Sequence, residues 1–274
     1  MKNYLFTVCF VFSFYSFSAV KPVERAEVKR IVDSLSLEQK VGQMIQPEIR
    51  YISASDIKKY GIGSILNGGG SYPNNKKRGS IDNWIEKAES LYQASITSES
   101  KIPIMWGTDA VHGHNNVFGA TIFPHNIGLG ATHNPKLIGE IAEITAKEVK
   151  ATGIDWIFAP TVAVAKDYRW GRTYESYSSN PKLVAEYGSE VVKGIQSQGL
   201  AATAKHFIGD GATFSGKDQG IVKLPLDTLI SEHGAGFESA IESNVLSIMS
   251  SFSSWDGQKT HGDKRLLTDV LRGK

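Results

Sequence analysis

Cysteine is nearly absent: the sequence holds one, Cys9, which excludes an intramolecular disulfide as a brace for the fold. An excess of charge is missing too. Lys and Arg total 30 against 28 for Asp and Glu, a formal net charge of +2, which gives no electrostatic reason for a nucleic-acid or membrane-surface partner. Several short catalytic signatures are also missing. No G-x-S-x-G elbow supports a hydrolase serine, no H-E-x-x-H or Cys-based spacing accompanies the histidines, and neither G-x-G-x-x-G nor a Walker sequence follows an early strand. Disorder is excluded in turn, because 41% of the residues are hydrophobic and 21% charged, an ordinary globular balance.

The longest apolar run stands at the N-terminus, MKNYLFTVCFVFSFYSFSAV, with Lys2 as its only charge and Ser16 and Ser18 at the small-residue spacing before Ala19. It reads as a secretory signal peptide over residues 1–18, too diluted by Ser and Tyr for a membrane span of about 20 apolar residues. Cys9 would leave with it. The mature chain, 19–274, would then rely on its packed core alone, in a secreted or periplasmic setting.

Along that chain, short runs rich in Ile and Val alternate with longer segments of helical periodicity. Strands are expected at Gly42–Gln46, Ile62–Leu66, Ile102–Trp106, Ile154–Ala159, Ala201–Phe207 and Val245–Phe252, each nearly continuous in apolar or small residues, as buried parallel strands are. Helices are expected at Asp82–Thr97, Pro135–Thr152, Pro181–Gln198 and Leu226–Ser243, with a terminal amphipathic one at Lys264–Leu271. Asn134-Pro135 and Asn180-Pro181 each set a capping residue before a proline at the first helical position. Gly153 and Gly199 are expected to cap the helices' far ends.

From Ile62 onward the strand starts lie 40 to 52 residues apart, generous for a βα unit and open to functional loops. The expected fold is an α/β barrel of the (β/α)8 type, incomplete at the C-terminus, with about six units present, since eight at this spacing need on the order of 350 residues. Missing staves would expose strand edges, so either the sequence is a fragment or a partner completes it.

In such a barrel, polar residues just after a strand converge on the mouth. Four places qualify. The first, Trp106–Asn116, crowds Asp109, His112, His114, Asn115 and Asn116 behind a strand; a helix cap is the competing role for Asp109. The second, Asp167–Glu175, offers Arg169 or Arg172 as a fork of donors and Trp170 as an apolar face, a combination suited to a sugar. Its alternative is a surface loop with Arg169 or Arg172 paired to Glu175. The third is Lys205-His206, where strand alternation would send one side chain away from the mouth. The fourth, Ser250–Gly257, couples hydroxyls with Trp255, or is only a Ser-rich turn at Asp256-Gly257. His112, His114, His125 and His133 read as hydrogen-bonded packing residues, and neither metal nor cofactor is expected.

At these four places the sequence resembles glycoside hydrolase family 3, in its β-glucosidase and β-glucan exohydrolase branch. The matching stretches are GTDAVHGHNNVFGATIFPHNIGLGAT (Gly107–Thr132), RWGRTYESYS (Arg169–Ser178), KHFIGDGAT (Lys205–Thr213) and SFSSWDG (Ser251–Gly257). The resemblance implies an N-terminal barrel domain, usually followed by an α/β sandwich domain, and retaining hydrolysis from the non-reducing end of β-linked glucosides. It further implies that Asp109, Arg172, Lys205 and His206 bind the terminal glucose and that Trp255 lines the pocket mouth. Glu175 and Asp210 would stand behind them, and an Asp at 210 points to glucosidases rather than to the N-acetylglucosaminidase branch.

No catalytic residue is expected within the chain. The resemblance implies a nucleophilic Asp in a Ser-Asp-Trp segment on the next strand and an acid Glu in the second domain, both beyond Lys274. Asp256, Asp263 and Asp269 are not their substitutes. The leading expectation is thus the amino-terminal part of an exo-acting β-glucosidase, with β-glucan or β-glucoside oligosaccharides as partners. The alternative is a catalytically inactive carbohydrate-binding or vestigial protein.

Overall fold

The structure, a computed structural model, describes residues 25–273. The expected signal peptide and Cys9 lie outside the described residues. The chain divides into a unit ending at Ser34, of which helix α1 (Arg25–Ser34) is described, and a unit from Leu35 onward that carries everything else.

In this second unit, helices α2 (Leu37–Gln43) and α3 (Ala54–Tyr60) precede the first strand, β1 (Ser64–Asn67). The repeating pattern follows: α4 (Ile81–Ile96), β2 (Met105–Thr108), the short α5 (Asn126–Gly130), α6 (Pro135–Lys150), β3 (Trp156–Ile157), α7 (Pro181–Ser197) and β4 (Ala201–Phe207). Beyond β4 come β5 (Ile221–Val222), α8 (Leu226–His233), α9 (Ala235–Glu242), β6 (Ser247–Ser250), β7 (Ser254–Trp255) and β8 (Gln258–Lys259). The main sheet runs β1-β2-β3-β4-β6, every neighbouring pair parallel, as in a barrel's consecutive staves. A small sheet of β5, β7 and β8 sits at the loop end.

The main sheet has five strands where six were expected. Gly42–Gln46 is not a strand: Ser36 accepts a hydrogen bond from the Gln39 amide while the Gln39 side chain accepts one from the Ser36 amide, and this capping box starts α2, which takes in Gly42 and Gln43 and leaves Met44–Gln46 as a turn and irregular chain. Gly42 is required there, since a Cβ on it would stand 2.2 Å from the Tyr60 carbonyl oxygen of α3. The helix expected over Leu226–Ser243 divides into α8 and α9 at Gly234, a residue that weakens a helix interior. The terminal helix is π-type, Arg265–Val270, with the Asp263 carboxylate accepting from the amides of Arg265 and Leu266.

Elsewhere local chemistry places the elements. Asn134 accepts from the Leu137 amide at 3.1 Å and Asn180 from the Lys182 amide at 3.0 Å, each ahead of a proline at the first helical position. Gly153 and Gly199 take φ of +78° and +80° where the chain turns from α6 into β3 and from α7 into β4. The core lies between strands and helices: Ile57 of α3, Ile65 of β1, Trp84 of α4, Ile157 of β3, Ala202 of β4 and Ile195 of α7 are all at most 1% exposed. Burial of such side chains, at about 25 cal/mol per Å2 of apolar surface, is the main force holding the staves. On the other face of the sheet, Phe158 covers Gly107 so closely that a Cβ there would meet its ring at 2.3 Å.

Candidate active site

The polar residues gather beyond the carboxyl ends of β2, β3 and β4. Asp109 follows β2 directly, and its Oδ1 accepts from Lys205 Nζ of β4 at 2.8 Å. Lys205 is 4% exposed, so its ammonium is one of the few buried charges and needs that carboxylate. Its neighbour His206 faces the mouth as well. The register between β4 and β6 shifts between Lys205 and Phe207, and this bulge breaks the alternation that would have turned one of the two away.

His206 meets the loop after β3. Arg172 Nη2 lies 3.4 Å from His206 Nε2, and the same guanidinium grips Glu175 with two bonds, Nε to Oε1 at 2.6 Å and Nη2 to Oε2 at 2.8 Å. This fork holds Arg172 well above the usual arginine range, in spite of partial burial. On the other side, His206 Nδ1 stands 2.7 Å from Asp210 Oδ2, at ion-pair distance though off the line of a hydrogen bond. Asp210 Oδ1 accepts from the hydroxyls of Ser251 and Ser253, just past β6. Burial pushes the Asp210 carboxyl up, but His206, Ser251 and Arg172 outweigh it and hold the group below its ordinary value.

An open cleft of about 530 Å3 lies against this second cluster, lined by Arg172, His206, Asp210, Asp218, Phe252 and His261 among others. The Asp109–Lys205 pair stands outside its walls. The expected sugar-contacting residues therefore form two neighbouring groups joined through Lys205-His206.

Two indoles do not sit where the sequence suggested. Trp170, a candidate sugar platform, is 2% exposed and donates Nε1–H to Asp218 Oδ1 at 2.9 Å. Trp255, expected at the pocket mouth, is 8% exposed in β7, gives Nε1–H to the Leu224 carbonyl and lies under the Arg265 guanidinium, away from the cleft walls. Phe252, 65% exposed, stands in the cleft instead. Asp218, Phe252 and His261 were not singled out in the sequence. Only the strand-end position of Phe252, within Ser250–Gly257, could have signalled it.

The histidines are dispersed. His112 stacks on His125 with ring centroids 4.2 Å apart, whereas His114 is wholly buried, bonded to Thr152 Oγ1 at 3.0 Å, and held down to about 4 by burial. Among the described residues no three His, Cys, Asp or Glu side chains gather as a metal would require.

Polar residues at the carboxyl ends of parallel barrel strands stand where barrel enzymes place their active sites, and the chain belongs to the glycosyl hydrolase family 3: residues 36–274 match that family's N-terminal domain. The lysosomal beta glucosidase of Dictyostelium discoideum is 31% identical, the match covering 90% of this chain and 33% of the relative. The exo-1,3/1,4-beta-glucanase ExoP of a Pseudoalteromonas species superposes with a TM-score of 0.88 at 51% identity, over 90% of this chain and 32% of that one. A mutant beta-glucosidase from Listeria innocua in complex with laminaribiose superposes with a TM-score of 0.77 at 26% identity, covering 91% and 36%. The chain thus spans about a third of the length of the relatives it matches.

Proposed function

We propose that residues 19–274 are the sugar-holding barrel portion of a secreted or periplasmic β-glucosidase, one that removes terminal non-reducing β-D-glucosyl residues from β-glucans and oligosaccharides with retention of configuration. The observation that carries this reading is the meeting of two adjoining pairs, Asp109 with Lys205 and Arg172 with His206, at the carboxyl ends of β2, β3 and β4. A pyranose offers a ring of hydroxyls, each donor and acceptor at once. A carboxylate beside an ammonium and a guanidinium answers it with charge-assisted bonds of both senses. The likeness to a protein named as an exo-1,3/1,4-beta-glucanase supports glucan as the substrate class.

In this reading Asp109 accepts from two glucose hydroxyls, while Lys205, Arg172 and His206 donate to the same ring. Glu175 and Asp210 hold Arg172 and His206 from behind. Retaining hydrolysis needs a nucleophilic and an acidic carboxyl about 5 Å apart. Asp210 is unsuited to either role, its carboxylate being closed in by Ser251, Ser253 and His206. We assign both roles to sequence beyond Lys274, an Asp on the following strand and a Glu in a sandwich domain. That the relatives are far longer than this chain supports the assignment.

The test is expression of the complete reading frame and assay with an aryl β-glucoside and laminaribiose, following the released anomer by NMR. Release of β-glucose first is the expected result. Initial release of α-glucose would overturn retention. Binding without hydrolysis would replace the enzyme by a carbohydrate-binding protein.

A further inference from the structure

The cleft contains one carboxylate that the reading above leaves unused. Asp218 lies in the loop after β4 and is exposed, yet it is not free to swing. Trp170, buried to 2% exposure, spends its single N–H on Asp218 Oδ1 at 2.9 Å. The backbone fixes the loop further. Gly216 takes φ of +68° and packs so tightly on the Arg172 loop that a Cβ would stand 2.6 Å from the Trp170 nitrogen. Asp218 Oδ2 takes no hydrogen bond from the described residues. Across the same cleft Arg172 has committed Nε and Nη2 to Glu175, leaving Nη1 without a hydrogen bond among the described residues.

We propose that Asp218 is a further sugar-binding residue, its carboxylate oriented by Trp170 to accept a hydroxyl of a glucosyl unit in the cleft beside Arg172. This rests on the glucosidase reading. Asp109 is engaged with Lys205 outside the cleft walls, so a hydroxyl of the same ring directed toward the loop after β4 needs an acceptor of its own. A carboxylate held from one side gives up little rotational freedom when a ligand takes the other, which is where a fixed acceptor gains over a mobile one.

The experiment is calorimetric titration of the protein from the complete reading frame with glucose and each of its monodeoxy analogues. Asp218→Asn should bind glucose about tenfold more weakly, the cost of one charge-assisted hydrogen bond. One analogue, which the wild type binds about tenfold less well than glucose, should bind Asp218→Asn as well as glucose does. Asp218→Ser, with no amide to misplace, should lose the same discrimination, and Trp170→Phe should weaken it while Asp218 remains. Uniform weakening across all analogues, with a lowered Tm, would make Asp218 merely structural and overturn the proposal. Unchanged affinity in Asp218→Asn, with binding abolished in Asp109→Asn, would also overturn it while leaving the glucosidase reading intact. A folded wild type that binds no glucose would remove both.

Discussion

The two ionic groups at the strand ends are built in opposite ways. Asp109 and Lys205 share one bond, and the Asp109 side chain remains 35% exposed beside an almost wholly buried ammonium. Asp210 is buried, with two serine hydroxyls on one oxygen and the His206 imidazole against the other. The first is a pair whose part-exposed carboxylate can take a sugar hydroxyl while keeping its bond to the buried ammonium. The second is scaffold: it ties the end of β4 to the segment after β6, and moving any member leaves another buried polar group unsatisfied.

Removing the scaffold should have the largest effect. Asp210→Ala strands Ser251, Ser253 and His206 at once, and should cost about 3 kcal/mol of stability, lowering Tm by roughly 10 °C in thermal denaturation. A Tm within about two degrees of wild type would erase the distinction between the two groups.

The part-exposed pair should behave conversely. Asp109→Asn keeps an acceptor for Lys205 but leaves its buried ammonium without a counter-charge, so Tm should fall by less than in Asp210→Ala, while kcat/KM for an aryl β-glucoside, assayed on the complete protein, should fall about 10- to 100-fold through one lost charge-assisted bond. Full activity in this variant would withdraw Asp109 from the sugar site.

The same contrast marks what could be read from the sequence. Strand β4 was legible because Ala201–Phe207 is an unbroken small and apolar run up to its polar end, and α6 and α7 because Asn-Pro pairs begin them. The first expected stave, Gly42–Gln46, is apolar enough for a strand, but the Ser36–Gln39 capping box, a purely local signal, starts a helix that runs through Gln43 and ends in a turn at Met44. Asp109, Lys205-His206 and the loop of Arg172 stood out from their places at or after strand ends, while Glu175 and Asp210 took their supporting roles from the family resemblance. The partners of the indoles were legible in neither way. Trp170 is withdrawn from the cleft by Asp218, 48 residues away, and Trp255 by the Leu224 carbonyl, 31 residues away; such pairings exist only once the loops are folded together.

Acid should separate the two regions next. His114 follows the Asp109 strand and His233 ends α8, near Asp210; burial holds each down to about 4 from 6.5. The unfolded chain therefore takes up the proton first as pH falls, so the stability each contributes is whole above about pH 6.5 and drains towards pH 4. His114 has Thr152 as a partner, whereas neither His233 nitrogen bonds to a described residue. His233→Leu should thus gain about 1–2 kcal/mol over wild type at pH 5 and little at pH 7. His114→Leu should lose stability at pH 7. A stability profile in which both variants keep the wild-type slope between pH 7 and 5 would show that these imidazoles are not the acid-sensitive groups.

The smallest effect belongs to the arginine beside the site that is not part of it. Arg169 sits three residues before Arg172 in the same loop, and its side chain makes as many bonds, all three to the Asp167 carboxylate. Its side chain is 70% exposed, however, and its partner belongs to the same short turn. Water competes for every one of those bonds, and holding two long side chains in one geometry offsets most of what remains. Arg169→Ala should leave both Tm and kcat/KM within error of wild type. Arg172→Ala, which frees a half-buried Glu175 and removes donors from the cleft, should lower kcat/KM at least about tenfold. Equal losses from the two substitutions would mean that the loop as a whole, rather than the guanidinium facing His206, is what the sugar requires.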